Sequence, residues 1–375
     1  MPNLIALALP PGDEFVSTMQ RIWADGDAML PIDPRLPAPA VAQLLDSLRP
    51  AAVIDEHGER HRRPDAIPTL DGDAVVIATS GSTGAPKGVV HTHTSVAASA
   101  AATSAGVGVD PERDRWLCCL PLSHVAGLSV VLRSLHLAVP LEVHRRFDAA
   151  AVTDAAARGA TLTTLVPTAL ARIDPAIFRR IVVGGAAPPA VIPPNTLVSY
   201  GMTESGSAFV YDGHALDGVE LRVVDGEIHV RGPMLLRAYR GGAFPPEGFD
   251  PKDGEGWFAT DDAGELAPDG TLTVHGRRGD LVITGGENVW PTEVERVLSH
   301  HPAVGEVAVI GRPDHEWGAR VVAIVAPADP AAPPSLAELR DHVKVELPAF
   351  AAPRELELVD ALPRTLLGKV ERRAL

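Results

Sequence analysis

Four short runs rich in β-branched and apolar residues recur between helix-length segments: Ala74–Thr79, Trp116–Leu122, Thr161–Val166 and Arg180–Gly184. Strands spaced in this way imply βα units and a largely parallel sheet. The texture changes by residue 220. Leu221–Val224 and Glu227–Arg231 flank Asp225-Gly226, which reads as a tight hairpin. Phe244–Gly256 is rich in Gly, Pro and acids and reads as a surface loop. The last hundred or so residues read as a small α+β unit. Pro291 opens a helix with Val294, Val297 and Leu298 on one face. Glu306–Ile310, Arg320–Ala326 and Glu355–Val359 read as strands. Pro327–Pro334 is a stiff linker, and Ser335 with Glu338 caps a helix carrying Leu339 and Val343. At 375 residues the chain is long enough for two or three domains.

The formal net charge of −15 opposes nucleic acid and anionic membranes as general partners. Any phosphate site must be local, built from backbone amides and a few cations. No run of about 18 apolar residues occurs, so no membrane insertion is expected. Ser95, Ser99, Thr103 and Ser104 interrupt the small-residue stretch around Ala100. Met1–Pro10 lacks the basic start of a signal peptide. The two cysteines, Cys118 and Cys119, are adjacent, which excludes a disulfide framework and a cysteine zinc site. They suit a buried strand in a reducing cytoplasm.

The densest chemistry lies at Thr79-Ser80-Gly81-Ser82-Thr83-Gly84-Ala85-Pro86-Lys87-Gly88, directly after an expected strand. Glycines let backbone N–H groups approach an oxyanion, hydroxyls donate, and lysine adds charge. This composition cradles phosphate. It is not a Walker A loop, because Gly88 rather than Ser or Thr follows Lys87.

Thr79–Gly88 resembles the phosphate loop of the AMP-forming acyl-CoA synthetase, luciferase and adenylation-domain superfamily. Four more segments resemble that superfamily's motifs in order: Tyr200–Ser205, Gly256–Asp262, Gly276–Asp280 with Thr284–Asn288, and Pro363–Val370. Together they span residues 79 to 370. The fold class implied is α/β. A large N-terminal domain of parallel-rich sheets, helices and a β-subdomain would cover 1–278. A small mobile α+β domain would cover 279–375. Gly26–Arg35 is similar to the family's early segment, which implies an N-terminal subdomain that is trimmed but present.

The resemblance implies ATP, Mg²⁺ and CoA as reactants or cofactors, with a small carboxylic acid as substrate. Adenylation brings two anions together, and unit charges 4 Å apart repel by about 4 kcal/mol at an effective dielectric near 20. The site must neutralise them. Thr79, Ser80, Gly81, Ser82, Thr83, Gly84 and Lys87 would hold the β- and γ-phosphates. Thr203 would donate to the α-phosphate, and Glu204 would hold Mg²⁺. Tyr200 and Gly201 would line adenine with Gly184, Gly185 and Ala186. Asp262 and Arg277 would take the ribose hydroxyls, although Asp261 stands where the family usually has Gly.

Lys369 would bridge carboxylate and phosphate oxygens during adenylation. Its domain would then turn about Gly279 so that CoA attacks the acyl-adenylate. Gly285 and Gly286 would line the pantetheine channel. His124, in Pro121–Leu128, resembles the residue facing the acyl group.

The compact chain, with Tyr211-Asp212-Gly213 and Leu216–Val219, is most similar to short 2-succinylbenzoate–CoA ligases of menaquinone synthesis. A substrate with two carboxylates would require a second cation, for which Arg133 and His124 are candidates. A ligase for another aromatic or fatty acid, an adenylation domain serving a carrier protein, a luciferase-like oxygenase and a degenerate nucleotide- or acyl-binding regulator stay open. A homo-oligomer is compatible with the sequence.

Overall fold

The computed structural model describes residues 1–79, 86–186, 191–364 and 370–375. Contacts divide the chain into two compact units. One comprises Met1–Ala186, Ile192–Leu221 and Val230–Phe258; the other is mainly Arg222–His229 and Ala259–Leu375.

The first unit contains two seven-stranded sheets. In the first sheet the strands run in the order Ala238–Arg240, Lys87–Thr92, Asp73–Thr79, Ala28–Pro31, Leu4–Leu7, Ala52–Ile54 and Arg60–Arg62. Its centre is parallel, and its flanks are antiparallel. The second sheet has the order His214–Ala215, Ser207–Tyr211, Thr196–Met202, Arg180–Val183, Leu162–Leu165, Trp116–Cys118 and Leu141–Val143. Five of its strands are parallel, and the last two to join are antiparallel. The expected parallel sheet is thus two parallel-centred sheets with antiparallel additions. The run expected over Trp116–Leu122 stays a strand only to Cys118. Pro121 offers no N–H to a ladder, and the chain turns into the helix Val125–Leu137.

The helix His93–Val107 is built from small residues and starts at a capping box, with Thr92 accepting from Ser95 N at 3.1 Å. Ser95, Ser99, Thr103 and Ser104 are all buried along it. Phe15, Met19, Trp116, Leu128 and Val131 belong to the main core.

The second unit takes in Arg222–His229 of the hairpin formed by Glu220–Val224 and Glu227–Arg231. Asp225 and Gly226 have φ of 50° and 76°, the mirror-image turn that matches strand twist. Phe258–Leu266 and Leu272–Arg277 complete this four-stranded sheet. A five-stranded sheet follows, in which the hairpin of Val304–Asp314 and Gly318–Pro327 pairs along its whole length. That continuous pairing extends both strands beyond the limits expected from their apolar runs. Glu355–Leu358 adds in parallel to Gly318–Pro327. The helix Pro291–Leu298 buries Val294, Val297 and Leu298, and Leu336–Glu346 buries Leu339 and Val343. Among the described residues, no helix is long and apolar enough to cross a membrane.

Candidate active site

In the first unit the site is assembled by a strand register. Tyr239 lies opposite Val89 in the antiparallel pair of Ala238–Arg240 with Lys87–Thr92. Lys87 is two residues from Val89 and therefore on the same face, within diagonal reach of an aromatic ring. The Lys87 ammonium sits 3.6 Å from the Tyr239 ring centroid. The Tyr239 hydroxyl donates to Glu204 Oε1 at 2.9 Å. Lys87 Nζ lies 3.7 Å from the same oxygen. Glu204 is carried by a single 3-10 turn, Thr203–Ser205, that ends at Gly206 with φ 69°. The Leu236 N–H donates to the Glu204 carbonyl at 2.8 Å, tying that turn to the segment that leads into Tyr239. The chain thereby brings together the lysine expected at the phosphates and the carboxylate expected at Mg²⁺.

His91, on the Lys87 strand, is fully buried. Its Nε2–H donates to the Thr203 carbonyl at 2.7 Å, which fixes the tautomer. Burial holds its pKa below the ordinary histidine value, against the opposing pull of that carbonyl and of Glu204. Thr79 ends the strand Asp73–Thr79, and its buried hydroxyl has no hydrogen-bond partner among the described residues. Ser80, Gly81, Ser82, Thr83 and Gly84 lie outside the described residues. Gly184, Gly185 and Ala186 follow the strand Arg180–Val183. Tyr200 and Gly201 sit in the neighbouring strand Thr196–Met202, with Tyr200 edge-on to Phe209 at 4.8 Å. Gly201 is required there, since a Cβ would come within 2.4 Å of the Ala208 Cα and the Ser207 carbonyl.

The acyl candidates occupy the helix Val125–Leu137. His124 is its N-cap residue. Arg133 is 2% exposed. Its Nη2 donates to Ser129 Oγ at 2.8 Å, and its guanidinium lies 5.0 Å from the Trp116 ring. Nε and Nη1 have no hydrogen-bond partner among the described residues, nor does the buried Tyr211 hydroxyl. Burial lowers the Arg133 pKa, partly offset by Tyr211 and Cys118.

The second unit holds the ribose candidates. Asp262, on Phe258–Leu266, pairs with Arg277, on Leu272–Arg277. Arg277 Nε lies 3.0 Å from Asp262 Oδ1, and Arg277 Nη1 donates to the Thr260 carbonyl at 2.8 Å. Gly285 and Gly286 form the turn between Val282–Thr284 and Glu287–Val289, with φ of 61° and 86°. A Cβ on Gly285 would meet the Trp317 ring at 2.7 Å. Lys369 lies outside the described residues. Arg364 and Val370 form an isolated antiparallel bridge on either side of it.

Sequence reasoning missed Tyr239 and His91. Each acts through a contact more than thirty residues away in the chain, and neither stands out by composition.

A family model described as AMP-binding enzyme matches residues 55–240, and one described as AMP-binding enzyme C-terminal domain matches residues 293–369. The chain is 38% identical over 364 residues to a probable 2-succinylbenzoate–CoA ligase of Mycobacterium tuberculosis, covering 90% of this chain and 93% of that one. The chain belongs to the AMP-binding enzyme family. The expectation of an adenylate-forming enzyme is thereby met. A 2-succinylbenzoate–CoA ligase of Listeria monocytogenes is 35% identical, covering 82% of this chain and 70% of that one. The fold matches o-succinylbenzoate CoA synthetase of Bacillus subtilis in complex with its acyl-adenylate intermediate. That match has a TM-score of 0.84 at 29% identity and covers 99% of this chain and 87% of the other. The same enzyme in complex with ATP and magnesium ion matches with a TM-score of 0.84 at 28% identity, over 99% and 88% of the two chains.

Proposed function

We propose that this chain is a 2-succinylbenzoate–CoA ligase that works through an acyl-adenylate. The substrate carboxylate attacks the α-phosphorus of ATP and pyrophosphate leaves. The CoA sulfur then attacks the acyl carbon, AMP leaves, and the thiol proton is released. Family membership supports the chemistry. For the substrate, the supporting observation is Arg133, buried with two unused nitrogens. A monocarboxylic acid leaves that guanidinium uncompensated, whereas the second carboxylate of 2-succinylbenzoate neutralises it.

The residue roles follow from charge. Lys87 moves from Glu204 to the β- and γ-phosphates. Thr203, its carbonyl held by His91, offers its hydroxyl to the α-phosphate. Glu204 suits Mg²⁺, since this ion takes one or two carboxylates and completes its shell with phosphate oxygens and water. Bound there, Mg²⁺ supplies charge neutralisation of the phosphates. Asp262 accepts from the ribose hydroxyls, and Arg277 orients Asp262. Tyr200 stacks on adenine beside Gly184, Gly185, Ala186 and Gly201. His124 faces the acyl group, and Gly285 and Gly286 admit pantetheine. Lys369 contacts carboxylate and phosphate oxygens in the first step only. Residues 279–375 are the working limits of its domain. The free, buried thiols of Cys118 and Cys119, raised by burial to about 12 and 11, are in keeping with a reducing cytoplasm.

The test is pyrophosphate exchange into ATP with 2-succinylbenzoate and Mg²⁺, without CoA, beside a panel of fatty and aromatic acids. Exchange with 2-succinylbenzoate that is lost in Lys369→Ala is the expected result. Exchange only with other acids overturns the substrate and keeps the mechanism. Unimpaired exchange in Lys369→Ala overturns the role of that lysine.

A further inference from the structure

We propose that Tyr239 is a positioning residue that holds the Glu204 carboxylate by its hydroxyl and the Lys87 ammonium over its ring. The inference deepens the adenylation reading and rests on it. Two contacts meet on its side chain, hydroxyl to Glu204 Oε1 at 2.9 Å and the Lys87 ammonium to the ring centroid at 3.6 Å, and the two partners lie 3.7 Å apart, ammonium to the same Oε1.

The ring is itself fixed. Phe244 stacks on it with centroids 5.4 Å apart and planes 18° apart. Phe249 stacks on Phe244 in turn at 5.6 Å. Tyr239 and Phe249 also exchange backbone hydrogen bonds of 2.8 and 2.9 Å. The side chain is 7% exposed. A tyrosine held this way cannot follow its partners, so the partners take their positions from it.

The arrangement explains the loose ion pair. A lysine and a glutamate left to themselves close to a direct contact of about 2.8 Å. Here the hydroxyl occupies Oε1, and the ring face attracts the ammonium, since a cation within about 6 Å of an aromatic centroid is stabilised. The pair therefore stays open. Phosphate and metal then need not break a tight salt bridge to engage the two groups. One side chain thereby links the metal carboxylate to the phosphate lysine.

The test separates the hydroxyl from the ring. Tyr239→Phe removes only the donor to Glu204, and Tyr239→Leu also removes the ring under Lys87. ATP binding is measured by calorimetry across a Mg²⁺ titration, beside pyrophosphate exchange and melting temperature. For Tyr239→Phe the half-saturating Mg²⁺ rises about 10- to 100-fold, the loss of one charge-assisted hydrogen bond, while metal-free ATP affinity stays within about twofold. Tyr239→Leu weakens metal-free ATP binding as well. An unchanged Mg²⁺ dependence in Tyr239→Phe overturns the proposal. So does a uniform loss of binding that tracks melting temperature in both variants, which is the signature of packing alone. A wild-type chain that binds no ATP overturns the adenylation reading itself, a result distinct from either of these.

Discussion

Arg277 Nε lies 3.0 Å from Asp262 Oδ1, while Asp261, its neighbour, leaves its side chain 72% exposed and only 3.9 Å from the same guanidinium. The two adjacent carboxylates, indistinguishable by composition, are thus separated by environment. Asp262 is oriented and mostly buried, as a hydroxyl-binding acid should be. Asp262→Ala is expected to raise the KM for ATP about 10- to 100-fold, the loss of hydrogen bonds to a charged acceptor. Asp261→Asn is expected to stay within about twofold, since an exposed pair contributes little. Steady-state kinetics of both variants decide the assignment.

Asp261 also has φ 61°, a left-handed conformation. Side chains with a Cβ resist it, although Asp does so less than most. Asp261→Gly relieves the strain and is expected to stabilise the fold by about 1 kcal/mol. A melting temperature that falls on this substitution would remove the strain argument.

His91 predicts a pH dependence. Its folded pKa is depressed by burial. The unfolded chain therefore binds a proton that the native state refuses, and stability is lost as pH falls from the ordinary value of about 6.5 toward the lower folded one. Above that value the contribution is complete. His91→Gln should flatten this limb of the stability profile, measured by denaturant titration between pH 5 and 8.

Arg133 carries opposite signs for stability and function. No carboxylate pairs with its buried guanidinium among the described residues, so replacement by an apolar residue of similar length removes a desolvated charge. Arg133→Met is expected to raise the melting temperature. The same change should lower kcat/KM for 2-succinylbenzoate about 10- to 100-fold, and leave a monocarboxylic aromatic acid nearly unaffected. Equal losses on both acids would place Arg133 outside substrate recognition.

Much of this was readable from local pattern. The Asp225-Gly226 turn, the capping of Leu336–Glu346 by Ser335 and Glu338, and the buried face of Pro291–Leu298 depend on residues within a few positions of one another. Thr203, Glu204, Asp262 and Arg277 were singled out because their residue types occur in short ordered motifs that resemble the family's. Strand limits were less legible. Val304–Asp314 is extended by a partner strand, a non-local term that hydropathy does not carry. Asp73 shows the same limit: it lies outside the expected run Ala74–Thr79, yet it begins the strand Asp73–Thr79 and is buried in a bidentate pair with Arg237, 164 residues away.

The sequence by itself determined the adenylate-forming chemistry and the α/β character, because both reside in residue types at short spacings. The tertiary structure alone decided which aspartate lies nearer Arg277, that Arg133 is buried with no carboxylate paired to it among the described residues, and that Tyr239 stands between Lys87 and Glu204. The last of these arises where the edge strand Ala238–Arg240 meets Lys87–Thr92 in one particular register. A slip of one residue would turn Tyr239 to the other face and undo it, since side chains alternate along a strand. Register is set by packing over the whole sheet, which no short stretch of sequence encodes.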